Sequence, residues 1–455
     1  MGGLSMKRII RNDSLIGTIL LSSITNFSVM MLTMIHSIII ARMLGVEGRG
    51  ELAVIVFWPV FLSGLVGLGL PTSLIYNVKQ NKSNNKVSAF VKVIFIYLIP
   101  ISLITGIVAW FCLPIWLENY SLTAIQLAQM YTLFSIPLTL STNILSALAK
   151  SFDKFHISNG LLLSVPLLNA ISLIVLGLSG YLNLITATIS YLIPSILAVI
   201  AGGIVLKRQI SKSHLYKLPI NAESTKQLFR YGVKVYGLDL MSTIYTQADK
   251  LIIVSLLTPR DLGLYSVVFA LSRVFNTVQL AITDVLFPKV TGLEREEILS
   301  IVGKSFRISM MLMVTLLIPS LFIGRFLLGI LFGKEFLEAS TTFYILSLEC
   351  IIGGGSWILA SSFNAIGRPE LVLIRQAIAI AINVVLFFIF TPLLGLEGLA
   401  LALLSGAVVR LIITLVQIPH AFNVPLRCIL YDHADFAYLK NILKEKRIRK
   451  GRMVS

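Results

Sequence analysis

Apolar runs of about 20 residues or more recur about twelve times along this chain of 455 residues. They cover residues 14–40, 51–74, 91–113, 123–149, 158–180, 184–206, 231–256, 263–289, 307–332, 340–364, 374–392 and 398–420. A 20-residue helix is about 30 Å long, the thickness of a bilayer's hydrocarbon core. Lipid offers backbone groups no hydrogen bonds, so a spanning chain forms helices or a closed barrel. Barrel strands alternate apolar and polar residues over about ten positions, and these runs do not alternate. The fold class expected is an all-α polytopic membrane protein with about twelve transmembrane helices.

Composition agrees: 56% of residues are apolar and only 13% charged, against roughly a quarter charged in soluble proteins. Pro59, Pro137, Pro166, Pro194 and Pro319 fall inside runs, where membrane helices tolerate them as kinks. The first run follows Lys7, Arg8 and Arg11. It is too long for a signal-peptide core and lacks a small-residue cleavage site, so it reads as a retained helix. Cys112, Cys350 and Cys428 are too far apart for a metal site or a disulfide framework.

The chain also repeats itself. The stretch 41–54 is echoed by 256–267, each a short polar turn between apolar runs. Ala147-Leu148-Ala149 and Phe152 answer Ala360-Ser361-Ser362 and Phe363, and Gly180-Tyr181-Leu182 answers Gly395-Leu396-Glu397. Two copies of one half are a common plan of secondary transporters, with the substrate path between the halves.

Charge then sets orientation. With the amino terminus cytoplasmic, the lysines and arginines at 79–92, 150–154, 207–230, 289–307, 368–375 and 427–452 fall inside. Only Arg42, Arg49, Arg260 and Lys334 fall outside. This is the positive-inside pattern, and it accounts for a net charge of +17 without nucleic-acid binding, which wants one basic face. Four segments follow: a six-helix bundle at 1–206, a basic cytoplasmic linker at 207–230, a second six-helix bundle at 231–420 and a basic cytoplasmic tail at 421–455. Six helices per half make both halves enter from one side, related by a pseudo-two-fold axis along the membrane normal. Ser224-Thr225-Lys226-Gln227 reads as a capping box opening a short helix on the inner leaflet. Phe436, Leu439 and Leu443 give the tail an amphipathic face suited to anionic lipid.

A charge at mid-bilayer costs roughly 3 kcal/mol, so it faces a cavity or a partner. Asp239, Asp249, Lys250, Arg273, Asp284, Arg325, Glu349 and Arg410 lie inside runs of the second half, and His36 inside one of the first. Helical spacing groups Asp239, Ser242, Thr243, Thr246, Asp249 and Lys250 on helix seven, and Arg273, Asn276, Thr277 and Asp284 on helix eight. Ser22, Asn26, Thr33, His36 and Ser37 form a milder stripe on helix one. These stripes are expected to line one aqueous cavity, with Arg273 and Arg410 about 15–18 Å from a membrane face. A cationic cavity suits an anionic substrate, because arginine's planar fork matches phosphate oxygens and stays charged. The expected substrate contacts are Arg273, Arg410, Lys250, Arg42, Arg49, Asn26 and Asn276. Asp239, Asp284, Glu349 and His36 are the candidates for H+ or Na+ coupling. The alternative is internal pairing, such as Asp249 with Arg42, Asp284 with Arg273, or Arg42 and Arg49 with Glu47 or Glu51. No phosphate loop, His-Glu-x-x-His, Gly-x-Ser-x-Gly or Cys/His cluster is present, so no enzyme chemistry and no cofactor or metal is expected. Gly353-Gly354-Gly355, inside a run, reads as close helix packing.

The stretch Ala41-Arg42-Met43-Leu44-Gly45-Val46-Glu47-Gly48-Arg49-Gly50 resembles the first periplasmic turn of Wzx-type polysaccharide flippases. These handle O-antigen and other lipid-linked oligosaccharides, and they belong to the MOP superfamily with the MATE exporters and MurJ. Tyr231-Gly232, Asp249-Lys250-Leu251, Leu262-Gly263-Leu264-Tyr265-Ser266-Val267 and Phe287-Pro288 also fit that family. So do Leu331-Phe332-Gly333-Lys334-Glu335-Phe336 and Asn364-Ala365-Ile366-Gly367-Arg368-Pro369. The resemblance implies transfer of undecaprenyl-diphosphate-linked oligosaccharide from the inner to the outer leaflet of a bacterial cytoplasmic membrane. It further implies alternating access around helices 1, 2, 7 and 8, with both termini cytoplasmic. Membrane lipids, a polysaccharide polymerase and glycosyltransferases are the implied partners. A MATE-type cation-coupled antiporter is the alternative, and would want acidic cavity residues and few cationic ones. A glycan ligase or polymerase would want a large extracytoplasmic loop, which the spacing of runs leaves no room for.

Overall fold

A computed structural model describes residues 15–80, 87–211, 222–290 and 293–430. All regular elements among them are helices. In order they are α1 (Leu15–Val66), α2 (Leu70–Gln80), α3 (Val87–Trp116), α4 (Leu122–Ser151), α5 (Phe155–Leu178) and α6 (Leu184–Ser211). Then follow α7 (Ala222–Leu256), α8 (Pro259–Val290), α9 (Arg295–Leu331), a 3-10 turn (Lys334–Ala339), α10 (Ser340–Ala365), α11 (Pro369–Phe422) and α12 (Arg427–Leu430). Nine described helices are long and apolar enough to cross a membrane, by length and composition. The chain is a multi-pass membrane protein. α7 is not among the nine; it carries Asp239, Asp249 and Lys250 in its second half.

Two of the helices are double. α1 turns at Gly45 (φ 69°, ψ −170°) and α11 at Gly395 (φ 60°, ψ −133°). The sequence leads one to expect a polar loop at 41–50, but all of it except Gly45 is helical. One glycine suffices because it enters the left-handed region without the steric cost other residues meet there. The separate short helix expected at 224 is also absent. α7 starts at Ala222 and runs on to Leu256, since no glycine or proline interrupts residues 222–231. Its start is clasped to α2: Ser73 Oγ donates to the Leu228 carbonyl (2.7 Å), and the rings of Tyr76 and Tyr231 stack at 3.8 Å. The amphipathic tail expected from residue 435 lies outside the described residues.

The repeat has a physical counterpart. A Cβ on Gly50 would lie 1.8 Å from the Pro259 carbonyl oxygen, and one on Gly263 would lie 2.0 Å from that of Val46. Val46 and Gly50 correspond, 213 positions on, to Pro259 and Gly263. Each copy of the motif thus presses its glycine onto the other copy's backbone, and the contact is reciprocal. Other breaks match at nearly the same offset: Asp153 (φ 57°) with Gly367 (φ 73°), and Gly180 (φ 75°) with Gly395 (φ 60°).

Two compact units can be distinguished. One holds Met1–Leu271 and Leu327–Ser340, the other Ser272–Phe326 and Thr341–Ser455. In the first, α4 is the hub, packing against α1, α2, α3, α5 and α6. Ile40, Leu52, Leu173, Leu182 and Ala187 make an apolar core there between α1, α5 and α6. In the second, Val302, Phe306, Ile358, Phe363, Ile418 and Ile429 join α9, α10, α11 and α12. Two arginines expected in cytoplasmic loops are buried in this unit. Arg307 donates to the Ile429 carbonyl (2.9 Å), closing α12 onto α9, and Arg375 is fully inside.

Candidate functional site

A buried polar cluster in the second unit centres on Glu349 of α10. This carboxylate is 4% exposed. Its Oε1 lies 3.5 Å from Nη2 of Arg410 on α11, and its Oε2 lies 3.6 Å from Nη2 of Arg273 on α8. The two expected phosphate-binding arginines and one expected coupling carboxylate therefore meet. Gly353, one turn beyond Glu349, makes room: a Cβ there would lie 3.4 Å from Glu349 Oε1 and 3.5 Å from Arg410 Nη2. Gly354 lets Gln279 of α8 approach, where a Cβ would fall 1.8 Å from its Oε1, and Gln279 donates to the Ile351 carbonyl (2.9 Å).

Burial separates the two arginines. The Arg410 side chain is 2% exposed and that of Arg273 32%. Arg410 anchors Glu349 from inside, while Arg273 is the member that reaches the surface of the unit. Asn276, three residues on and on the same helix face, is half-buried, and its Oδ1 has no hydrogen-bond partner among the described residues. By formal charge, two guanidinium groups against one carboxylate leave one positive charge in excess.

Arg375 extends the cluster and is absent from the site expected from sequence. Its Nη1 donates to Ser356 Oγ (2.6 Å) and Thr414 Oγ1 (3.0 Å), and its guanidinium lies 5.0 Å over the Trp357 ring. Thr414 in turn donates to the Arg410 carbonyl (2.6 Å). Nε and Nη2 of Arg375 have no partner among the described residues. The signal was available, since Arg375 already lies inside the run 374–392. Among the described residues Arg375 is held by hydroxyls and a carbonyl and not by a carboxylate, and a buried cation left uncompensated does not stabilise a fold. Arg375→Met is therefore expected to keep or raise the thermal midpoint of the purified protein. A fall equivalent to more than about 3 kcal/mol would show that this charge holds the unit together.

The remaining expected residues fall in the first unit, apart from Asp284, whose side chain lies outside the described residues. Arg42 caps the end of α9, donating from Nε to the Leu331 carbonyl (3.0 Å) and from Nη2 to that of Ile330. The last carbonyls of a helix lack internal partners and attract cations. Asp249 accepts from Tyr265 Oη (2.5 Å) instead of pairing with Arg42. Lys250 is held by Gln247 Oε1 (3.1 Å) and lies 5.2 Å from the Phe269 ring. Arg49 is half-buried and makes no ion pair with Glu47 or Glu51; its Nε has no partner among the described residues. His36 Nε2 meets the Pro166 carbonyl (2.9 Å), away from the exposed Asn26 and Thr33. The helix-one stripe is thus divided between packing and surface. Helix seven is divided likewise: Thr243 packs against Gly64 and Asp249 is buried, while Ser242 and Thr246 are exposed and Asp239 is half-buried.

A family described as polysaccharide biosynthesis protein matches residues 15–294, more than half of the chain. The chain belongs to that family. Polysaccharide biosynthesis proteins similar to it include capsular polysaccharide biosynthesis protein CapF of Staphylococcus aureus, 23% identical over 80% of this chain and 89% of that one. A probable low-salt glycan biosynthesis flippase of Haloferax volcanii is 26% identical over 184 residues. That match spans 40% of this chain and 39% of the relative. Among solved structures, lipid II flippase MurJ in an inward closed conformation aligns with TM-score 0.65 at 16% identity, over 93% of this chain and 96% of that one. An inward-facing MATE multidrug transporter of the MOP superfamily aligns with TM-score 0.66 at 14% identity, over 88% and 99%. This polysaccharide biosynthesis protein thus shares its fold with MurJ and with MATE transporters.

Proposed function

We propose that the chain moves oligosaccharide units linked to undecaprenyl diphosphate from the inner to the outer leaflet of a bacterial cytoplasmic membrane. It does so by alternating access between two six-helix bundles, 1–206 and 231–420, with both termini cytoplasmic. The observation that carries this reading is Arg273. Its Nη2 pairs with the Glu349 carboxylate at 3.6 Å while a third of the side chain stays exposed. A pre-oriented guanidinium loses little freedom on binding and matches the paired oxygens of a diphosphate. Asn276 adds an amide on the same face. Arg410, buried behind Glu349, keeps the cluster net positive without touching substrate. Glycosyltransferases would act before this step and a polymerase after it.

The cluster is poorly suited to cation exchange of the MATE kind, since a carboxylate between two guanidinium groups faces a like-charge barrier to any further cation. Coupling, where it occurs, falls to Asp239, Asp284 or His36. Arg273→Ala, at wild-type protein level, is expected to reduce surface-glycan export at least tenfold in a complementation assay. Arg273→Lys should recover only part of it, because an ammonium is a point charge rather than a fork. Wild-type export by Arg273→Ala would remove the diphosphate contact.

A further inference from the structure

We propose that a groove on α3, α4 and α6 binds an anionic phospholipid of the surrounding bilayer. The groove has a volume of about 300 Å³ and is walled by Val91, Phe95, Leu145, Leu148 and Leu206, with Lys92 and Lys207 among its lining residues. It lies where the start of α3 meets the ends of α4 and α6. That end of the first unit also carries Lys150, Lys154 and Arg208, and the charge pattern assigns it to the cytoplasmic side. Both lining lysines are exposed, and among the described residues no acidic one lines the groove.

Two neighbouring glycines show how the groove stays open. A Cβ on Gly202 would lie 2.6 Å from Leu161 Cδ2 and 3.4 Å from Leu145 Cδ1, so Gly202 serves helix packing. A Cβ on Gly203 would meet nothing within 4 Å. No contact demands a glycine there, yet its missing side chain is what leaves the slot empty. An apolar slot with two ammonium groups at its basic end matches one amphiphile: an acyl chain below and a phosphate headgroup above. Lysine near an anionic lipid surface counts for about a factor of five in affinity, so two count for about thirtyfold. A zwitterionic headgroup, with no net charge, gains little from them.

The test uses the full chain purified in detergent and titrated with phosphatidylglycerol or phosphatidylcholine. The readouts are thermal midpoint and lipid retained in native mass spectrometry. Phosphatidylglycerol is expected to raise the midpoint and to be retained one per chain, and phosphatidylcholine to do neither. Lys92→Gln with Lys207→Gln should weaken the phosphatidylglycerol effect about thirtyfold. Gly203→Leu should fill the slot and remove retention without lowering the lipid-free midpoint. Equal effects of the two lipids, or an undiminished effect in the double lysine variant, would overturn the proposal. So would displacement of the retained phosphatidylglycerol by stoichiometric undecaprenyl diphosphate, which would make the occupant the transported lipid.

Discussion

Replacing Gly50 or Gly263 by leucine is expected to leave no folded protein in the membrane fraction. The obstacle in each case is backbone: the Pro259 carbonyl oxygen would be 1.8 Å from a Cβ on Gly50, and the Val46 carbonyl oxygen 2.0 Å from one on Gly263. A crowded side chain can change rotamer, at a typical cost of 1–3 kcal/mol. A carbonyl inside a helix cannot, so relief requires the two helices to separate. Even alanine should cost about 3 kcal/mol or more at either position, a large share of the 5–15 kcal/mol that keeps a typical domain folded. Gly203→Ala is the control, since it meets no atom within 4 Å and replaces a helical glycine with a better helix former, worth up to about 1 kcal/mol. Yield and thermal midpoint check all three. A wild-type midpoint for Gly50→Ala would mean that the two motifs do not approach as closely as described.

Removing the carboxylate at 349 should be nearly as damaging by a different route. Glu349→Leu leaves the Arg410 guanidinium, 2% exposed, with its ion-pair partner gone. Breaking a buried pair from one side typically costs 3–5 kcal/mol, because an uncompensated charge remains. Arg410→Leu should cost less, since Glu349 keeps Arg273 at 3.6 Å. The double variant Glu349→Leu with Arg410→Leu is expected to recover most of the loss, giving a coupling energy of 2 kcal/mol or more in a double-mutant cycle. Strictly additive losses would mean that the pair is not energetically linked. Export by the double variant is a separate question, because the Arg273 fork loses the carboxylate that lies 3.6 Å from its Nη2.

The helices were largely legible in the sequence, because length and unbroken apolarity are local properties. The run 340–364 became Ser340–Ala365, and 184–206 became Leu184–Ser211. The Gly50–Gly263 contact sits within the two echoing motifs that the sequence itself displays. Partners were less legible. Helical period says which residues share a face, but not which helix that face meets. Arg273 was weighed against Asp284 and lies on Glu349; Asp249 was weighed against Arg42 and lies on Tyr265. Arg42 finds main-chain carbonyls of α9, a kind of partner that residue type does not announce. Arg375 was counted only toward topology, because such counts treat every arginine near the end of a run alike and say nothing of burial.

The reciprocal seating of Val46 on Gly263 and of Gly50 on Pro259 has a consequence for ancestry. A contact in which equivalent positions exchange places is the geometry of a symmetric homodimer, where one patch is its own complement. A half-length forebear bearing this patch would have been ready to associate with a second molecule of itself before any gene fusion.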